Sequence, residues 1–407
     1  MNGASKARLV ASLFATLCTL PGCGEQGDEG GVEGTPGTGG TAGSGGGEHS
    51  LDHPDPGTIL VTVSGGLAAL GGFAFPPAAS GDVAFVDGWE LSFERVIVTL
   101  DHLVVATSPD LSPTDQSRTD EALGQVDGPW AIELHAGGPR TGKSGNGEQA
   151  EPFTLIEVDD VAPGIGFDQR LAFGFDVVGA SDAAEQVNFD GAARDDYAEM
   201  VAHAQSVLYV GTARFVGTSC QSSGGYDFTR LPGVVDFRLA FSAPARFVNC
   251  QNPDNDPANA FPGEEHQRGV QILANTYVVA QINLSLAEPF LDALGGSPRL
   301  RFDPLAARLV GSAAKAVSRD DMSGVDFSAF HDAAGAALPA RNCIDGSPAP
   351  GAGALSYDPN GVPLNPSADP AKALRDFADY TNYLAGTAAR LDGDGKCHVE
   401  RLYPSPD

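Results

Sequence analysis

Asp392-Gly393-Asp394-Gly395-Lys396 places two carboxylates at alternate positions with glycines between them. Carboxylates so spaced can converge on one hard cation such as Ca2+, and the glycines allow the tight turn that convergence requires. Lys396 stands where a full calcium loop would carry another oxygen, and the twelfth position holds no acid. Asp392 and Asp394 are therefore read as a weak, extracellular-grade Ca2+ site. Glu264-Glu265-His266 lies in a polar stretch, and no His-x-His or His-Glu-x-x-His spacing occurs. His102, His135, His203, His331 and His398 would form a transition-metal site only if the fold gathered them. The adjacent acids Asp159-Asp160, Asp195-Asp196 and Asp320-Asp321 point to opposite faces of any strand, a poor arrangement for paired acid–base catalysis. Gly137 to Ser144 satisfies the spelling of a phosphate loop. The next residues, Gly145-Asn146-Gly147-Glu148, are loop-forming and supply no helix N-terminus to hold a phosphate, so nucleotide binding is not expected.

The N-terminus gives the chain an address. Lys6 and Arg8 precede an apolar run, Leu9 to Leu20, that is too short to cross a bilayer of roughly 30 Å. It ends in Leu20-Pro21-Gly22-Cys23, which resembles the lipobox of bacterial lipoproteins. The resemblance implies export, removal of residues 1–22 and lipidation of Cys23. Gly24, where an inner-membrane retention signal would carry Asp, implies the outer membrane. Cleavage removes Lys6 and Arg8 and no acid, so the mature chain is more acidic than the whole sequence, whose net charge is −29. No basic patch is dense enough for nucleic acid. Residues 23–57 carry the lipidated cysteine and a Gly-, Thr- and Ser-rich segment without hydrophobic period, expected to stay disordered. About 34 such residues reach roughly 30–35 Å, enough to lift a folded body off lipid headgroups.

In an oxidising compartment the remaining cysteines, Cys220, Cys250, Cys343 and Cys397, read as two disulfides with three possible connectivities. The pairing expected here is Cys220–Cys250 and Cys343–Cys397: the first closes a hairpin-sized loop, and the second ties down a C-terminal helix.

The elements that must position these residues are mostly strands. Ile59, Val61 and Val63 open the folded region. Trp89, Leu91 and Phe93 alternate with polar residues. The apolar phase then slips to Val96, Val98 and Leu100, which predicts a β-bulge near Glu94–Arg95 or burial on both faces. Further strands are expected at Ala131–Leu134, Phe153–Val158 and Phe167–Val178, with a Pro163-Gly164 turn between the last two. This order resembles the transthyretin-like or immunoglobulin-like β-sandwich domains of bacterial surface lipoproteins, over residues 58–180. The resemblance implies a sandwich and a surface location and carries no active site.

Residues 181–407 read as mixed β/α. A short helix is expected over Asp195–Ala204, with strands at Val207–Phe215, Val234–Phe247 and Val270–Leu286. A final helix is expected over Ala371–Leu391, with Asp369 as N-cap, Pro370 at its first position, and Gly386 able to bend or end it early. The fold class is thus mainly β: a β-sandwich N-terminal half, then a mixed β/α half, either continuous with the sandwich or separate from it, ending in a helix.

The expected function is a membrane-anchored, non-enzymatic binding module of the cell envelope for a protein, glycan or ion. The alternative is an exported hydrolase or metalloenzyme assembled from distant His, Asp and Glu residues. Cys23→Ser should abolish metabolic lipid labelling and release the protein from the membrane fraction. A wild type without lipid, with the variant still sedimenting with membranes, would refute the anchor.

Overall fold

The structure is a computed structural model describing residues 51, 54–79, 83–135, 151–158, 170–273, 276–347, 349, 351–362 and 374–402. Cys23, the phosphate-loop spelling at 137–144, the Pro163-Gly164 turn, and Asp369 with Pro370 lie outside them. Strands dominate over helices, as a mainly β chain requires.

The strand Trp89–Ala106 organises the larger sheet. It pairs antiparallel with Val207–Phe215 and then Arg170–Val177 along one edge, and with Trp130–Glu133 and Ala122–Val126 along the other. The expected bulge is present: against Val207–Phe215 the register shifts between Phe93 and Arg95. An extra residue reverses which face each later side chain takes. Trp89, Leu91 and Phe93 enter the main core before the bulge, and Val96, Val98 and Leu100 enter it afterwards. Ile97 now points to the opposite face. There it meets Ala193, Tyr197 and Met200 of the helix Gly191–Ala202, whose N-cap Asp190 accepts a hydrogen bond from Ala193 N–H. A second register shift, between Asp101 and Val104, returns Leu103 and Val105 to the core. His102 sits in this irregularity at φ 49°.

The main path of that sheet runs Ala316–Ser318, Val234–Phe241, Val207–Phe215, Trp89–Ala106, Arg170–Val177, Ala245–Val248, His398–Arg401. A four-stranded sheet orders Ala389–Leu391, Val278–Leu284, Ile59–Ser64 and Thr154–Ile156. Every residue of Ile59–Ser64 is buried, and the two sheets contribute to one continuous core. Both sheets combine strands from 58–180 with strands from 181–407, and the described residues belong to one compact unit. The stretch expected as a single strand over Val234–Phe247 breaks at Ser242–Pro244, and that over Val270–Leu286 divides into Val270–Gln271 and Val278–Leu284. The last helix is Phe377–Ala385, capped by Asp376, which accepts from Asp379 N–H. Gly386 ends it, and two short strands follow, Ala389–Leu391 and His398–Arg401. No helix among the described residues is long and apolar enough to cross a membrane.

The expected disulfide pairing is wrong. Cys220 is bonded to Cys343 and Cys250 to Cys397, across 123 and 147 residues. Long-range strand register decides this. Gln221–Ser222 pairs with Arg341–Asn342, which brings the flanking Cys220 and Cys343 together. Val248 pairs with His398, which does the same for Cys250 and Cys397.

A buried ionic knot joins the beginning of the long strand to the later loops. Asp303, 2% exposed, accepts from Trp89 Nε1 at 2.8 Å and from Arg341 Nε and Nη2 at 2.7 and 2.5 Å. The Arg341 guanidinium also lies over the rings of Phe215 and Phe228, at 4.0 and 4.5 Å from their centroids. Asp87, fully buried, accepts from the backbone N–H groups of Phe302 and Asp303 through Oδ2, while its Oδ1 has no partner.

Two outcomes follow from this architecture. Non-reducing peptide mapping of protein from its native compartment should link Cys220 to Cys343 and Cys250 to Cys397. Closing loops of this length typically stabilises a fold by about 2–5 kcal/mol, so reduction should lower the unfolding midpoint markedly. Recovery of the Cys220–Cys250 peptide would overturn the register argument. Burial, and then the Asp303 carboxylate, push the Asp87 carboxyl up to about 7 against the pull of Arg301 and Arg341. Between pH about 4 and about 7 the folded state then holds a proton that the unfolded state has released. This group's contribution therefore makes stability fall as pH rises through that window. Urea titrations at several pH values should show a shallower fall for Asp87→Asn than for wild type; identical slopes would refute the assignment.

Candidate cation site

The Asp392–Lys396 turn follows the strand Ala389–Leu391, which pairs with Val278–Leu284. Leu391 and Gly395 exchange backbone hydrogen bonds at 2.9 Å, closing the turn. Asp392 takes φ 47° and Gly393 φ 102°. Gly395 must be glycine, since a Cβ there would stand 2.1 Å from the carbonyl oxygen of Gln251. Gln251 N–H in turn donates to Lys396 O, and the Cys250–Cys397 disulfide fastens the same junction.

The two carboxylates of the turn serve different purposes. Asp392 points inward, its Oδ1 accepting from Gln281 N–H at 2.7 Å and its Oδ2 from Asn252 Nδ2 at 2.8 Å. Burial pushes its carboxyl up to about 7, despite these hydrogen bonds. It is a structural acceptor and does not share a ligand position with Asp394. The Asp394 side chain is 75% exposed, and its Oδ1 lies 3.5 Å from His266 Nε2.

His266 and Glu265 arrive from the loop after Cys250. Gln251 Oε1 accepts from the N–H groups of both, at 3.2 and 3.0 Å, and fixes their backbone against the turn. Arg268, fully buried, anchors the same loop by donating to Glu264 Oε1 and to the carbonyls of Pro109 and Ser112, with the Phe261 ring beneath it. The result is a set of three ligand-type atoms, from Glu265, His266 and Asp394, all within 4.8 Å of one another. Lys396 Nζ lies 2.6 Å from Glu265 Oε1 and, by that hydrogen bond and its charge, holds the Glu265 carboxyl below the usual range.

Sequence spacing located Asp394 and the Glu264-Glu265-His266 stretch but not their meeting, which depends on the disulfide and the Gln251 side chain. His102 pairs with Asp127 at 3.1 Å, and His331 Nδ1 contacts Ala329 O at 2.8 Å. His135 Nδ1 contacts Ala69 O at 2.6 Å. None of these three, nor His203 or His398, belongs to a cluster of three ligand atoms among the described residues. Of the adjacent acids, Asp196 is held by Arg95 and Arg238, and Asp321 accepts from Ser318. Comparison with protein-family models, with curated proteins and with solved structures finds no match for this chain.

Proposed function

We propose that this chain is an exported lipoprotein of the cell envelope, held at the membrane through Cys23. Its folded body is a non-enzymatic binding module for a divalent cation. The lipobox resemblance and the Gly-rich segment after it support the anchor and tether. The two disulfides favour an oxidising compartment. The sandwich resemblance over 58–180 agrees with a surface role.

The observation that carries the ion reading is the convergence of Glu265, His266 and Asp394 from segments more than a hundred residues apart. One imidazole and two carboxylates suit Zn2+ or Mn2+ better than Ca2+, which takes oxygen ligands. The Asp392/Asp394 calcium reading lacks its first ligand, because both Asp392 oxygens are engaged inside the fold. Three protein ligands leave open positions, the feature on which a metalloenzyme reading would rest. Glu265 and Asp394 are more than half exposed, however, and water is not excluded from the site. Binding is the reading that such exposure supports.

Isothermal titration of chelator-stripped protein should give one site for Zn2+ or Mn2+, weakened tenfold or more by His266→Gln. Lys396→Met should tighten it, because the ammonium competes with the ion for Glu265. Equal affinity for Ca2+, or full retention in His266→Gln, would overturn the site.

A further inference from the structure

A cleft of about 530 Å³, within the range that accommodates small ligands, shares no lining residue with the cation cluster. One wall is the Asp292–Arg299 hairpin, closed by Asp292 N–H donating to Arg299 O and by Arg299 N–H donating to Asp292 Oδ1. The other is the stretch before Asp358, whose N–H donates to Asp292 O. Arg301, only 3% exposed, lines the cleft. Its Nε donates to Asp292 Oδ2 at 2.7 Å and its Nη1 to Arg341 O at 3.2 Å. Its Nη2 has no acceptor among the described residues, and neither has the half-buried guanidinium of Arg299. Asp358 uses Oδ1 to accept from Asn360 N–H, which leaves Oδ2 for a ligand.

Arg301 is held beside the cleft by Asp292 and the Arg341 carbonyl, and a guanidinium carries more N–H donors than these two acceptors use. Here the guanidinium is pinned by two hydrogen bonds and needs no reordering to receive an acceptor. Planar guanidinium edges match a carboxylate in a two-point geometry. The two arginines are balanced by Asp292 and Asp358, so the cleft has no excess positive charge to hold a dianion. The free Asp358 oxygen would repel a second negative group but would accept from hydroxyls. We propose that this cleft binds a carboxylate-bearing saccharide of the uronic-acid type. The carboxylate lies on Arg299 and Arg301, and ring hydroxyls donate to Asp358.

The test is titration of the full-length protein, with chelator present, using sodium D-glucuronate, D-glucose and inorganic phosphate. Glucuronate should bind one to one and at least tenfold tighter than either of the others. Arg299→Gln and Asp358→Asn should each weaken it about tenfold, in line with the loss of a charge-assisted hydrogen bond, with unchanged unfolding midpoints. His266→Gln should bind it as wild type does, which separates this site from the cation cluster. Both substituted residues reach solvent, so their variants keep the test decisive even if changes at buried Arg301 prevent folding. No glucuronate binding at tens of millimolar, or full affinity in both variants, would overturn the proposal. Phosphate bound as tightly as glucuronate would reduce the cleft to a simple anion site and overturn the saccharide assignment.

Discussion

A carboxylate with almost no exposure must be fully paired or it destabilises the fold by several kcal/mol, and Asp303 sets that condition here. Its partners are Trp89, at the start of the longest strand, and Arg341, in the short strand Arg341–Asn342 that Cys343 directly follows. Satisfying one buried charge therefore fixes the relative positions of segments more than two hundred residues apart. The arrangement extends outward. Asp87 caps the backbone at Phe302 and Asp303, Arg301 reaches the Arg341 carbonyl, and Arg301 in turn holds Asp292. Replacing Asp303 with an apolar residue would strand the Arg341 charge among aromatic rings, so the knot specifies one arrangement more strictly than apolar packing alone would.

The second constraint is phase. The strand Trp89–Ala106 is long enough to meet two neighbours on each edge, and it feeds a core on one face and a helix on the other. Two interruptions in its register assign residues to these faces. Deleting Glu94 would turn Val96, Val98 and Leu100 toward the helix and Ile97 toward the main core. The patch they would enter is small, formed with Ala193, Tyr197 and Met200 of the helix Gly191–Ala202, and now takes Ile97 from this strand.

Local features of this design were legible in the sequence. The phase slip at Glu94–Arg95 announced the bulge, and Val207–Phe215 is a strand over the range its alternation implied. Features that depend on distant segments were not legible. The disulfide partners follow from two strand pairings with more than a hundred residues between the strands, so loop size was a misleading guide. The last helix begins at Phe377 because Asp376, with Asp379 three residues on, provides the cap that Asp369 was expected to give. At the site, the alternation of Asp392 and Asp394 suggested two ligands. A residue at φ 47° with two waiting donors turns its side chain inward, and periodicity alone carries no trace of Gln281 and Asn252.

Charge links the knot, the turn and the surface. The chain carries 24 Lys and Arg against 53 Asp and Glu, and many of its arginines have their own carboxylates within the fold. Arg268, Arg301 and Arg341 are almost wholly buried and act as internal fasteners, holding Glu264, Asp292 and Asp303. Each such pair is neutral, so the net charge of −29 falls on the rest of the chain and the field outside the molecule is strongly acidic. A diffusing divalent cation is attracted over the whole surface, within the roughly 8–10 Å that physiological salt leaves unscreened. An anion is repelled until it comes within hydrogen-bond reach of a guanidinium that has donors to spare. Long-range field and short-range donors thus act in opposite directions on anions.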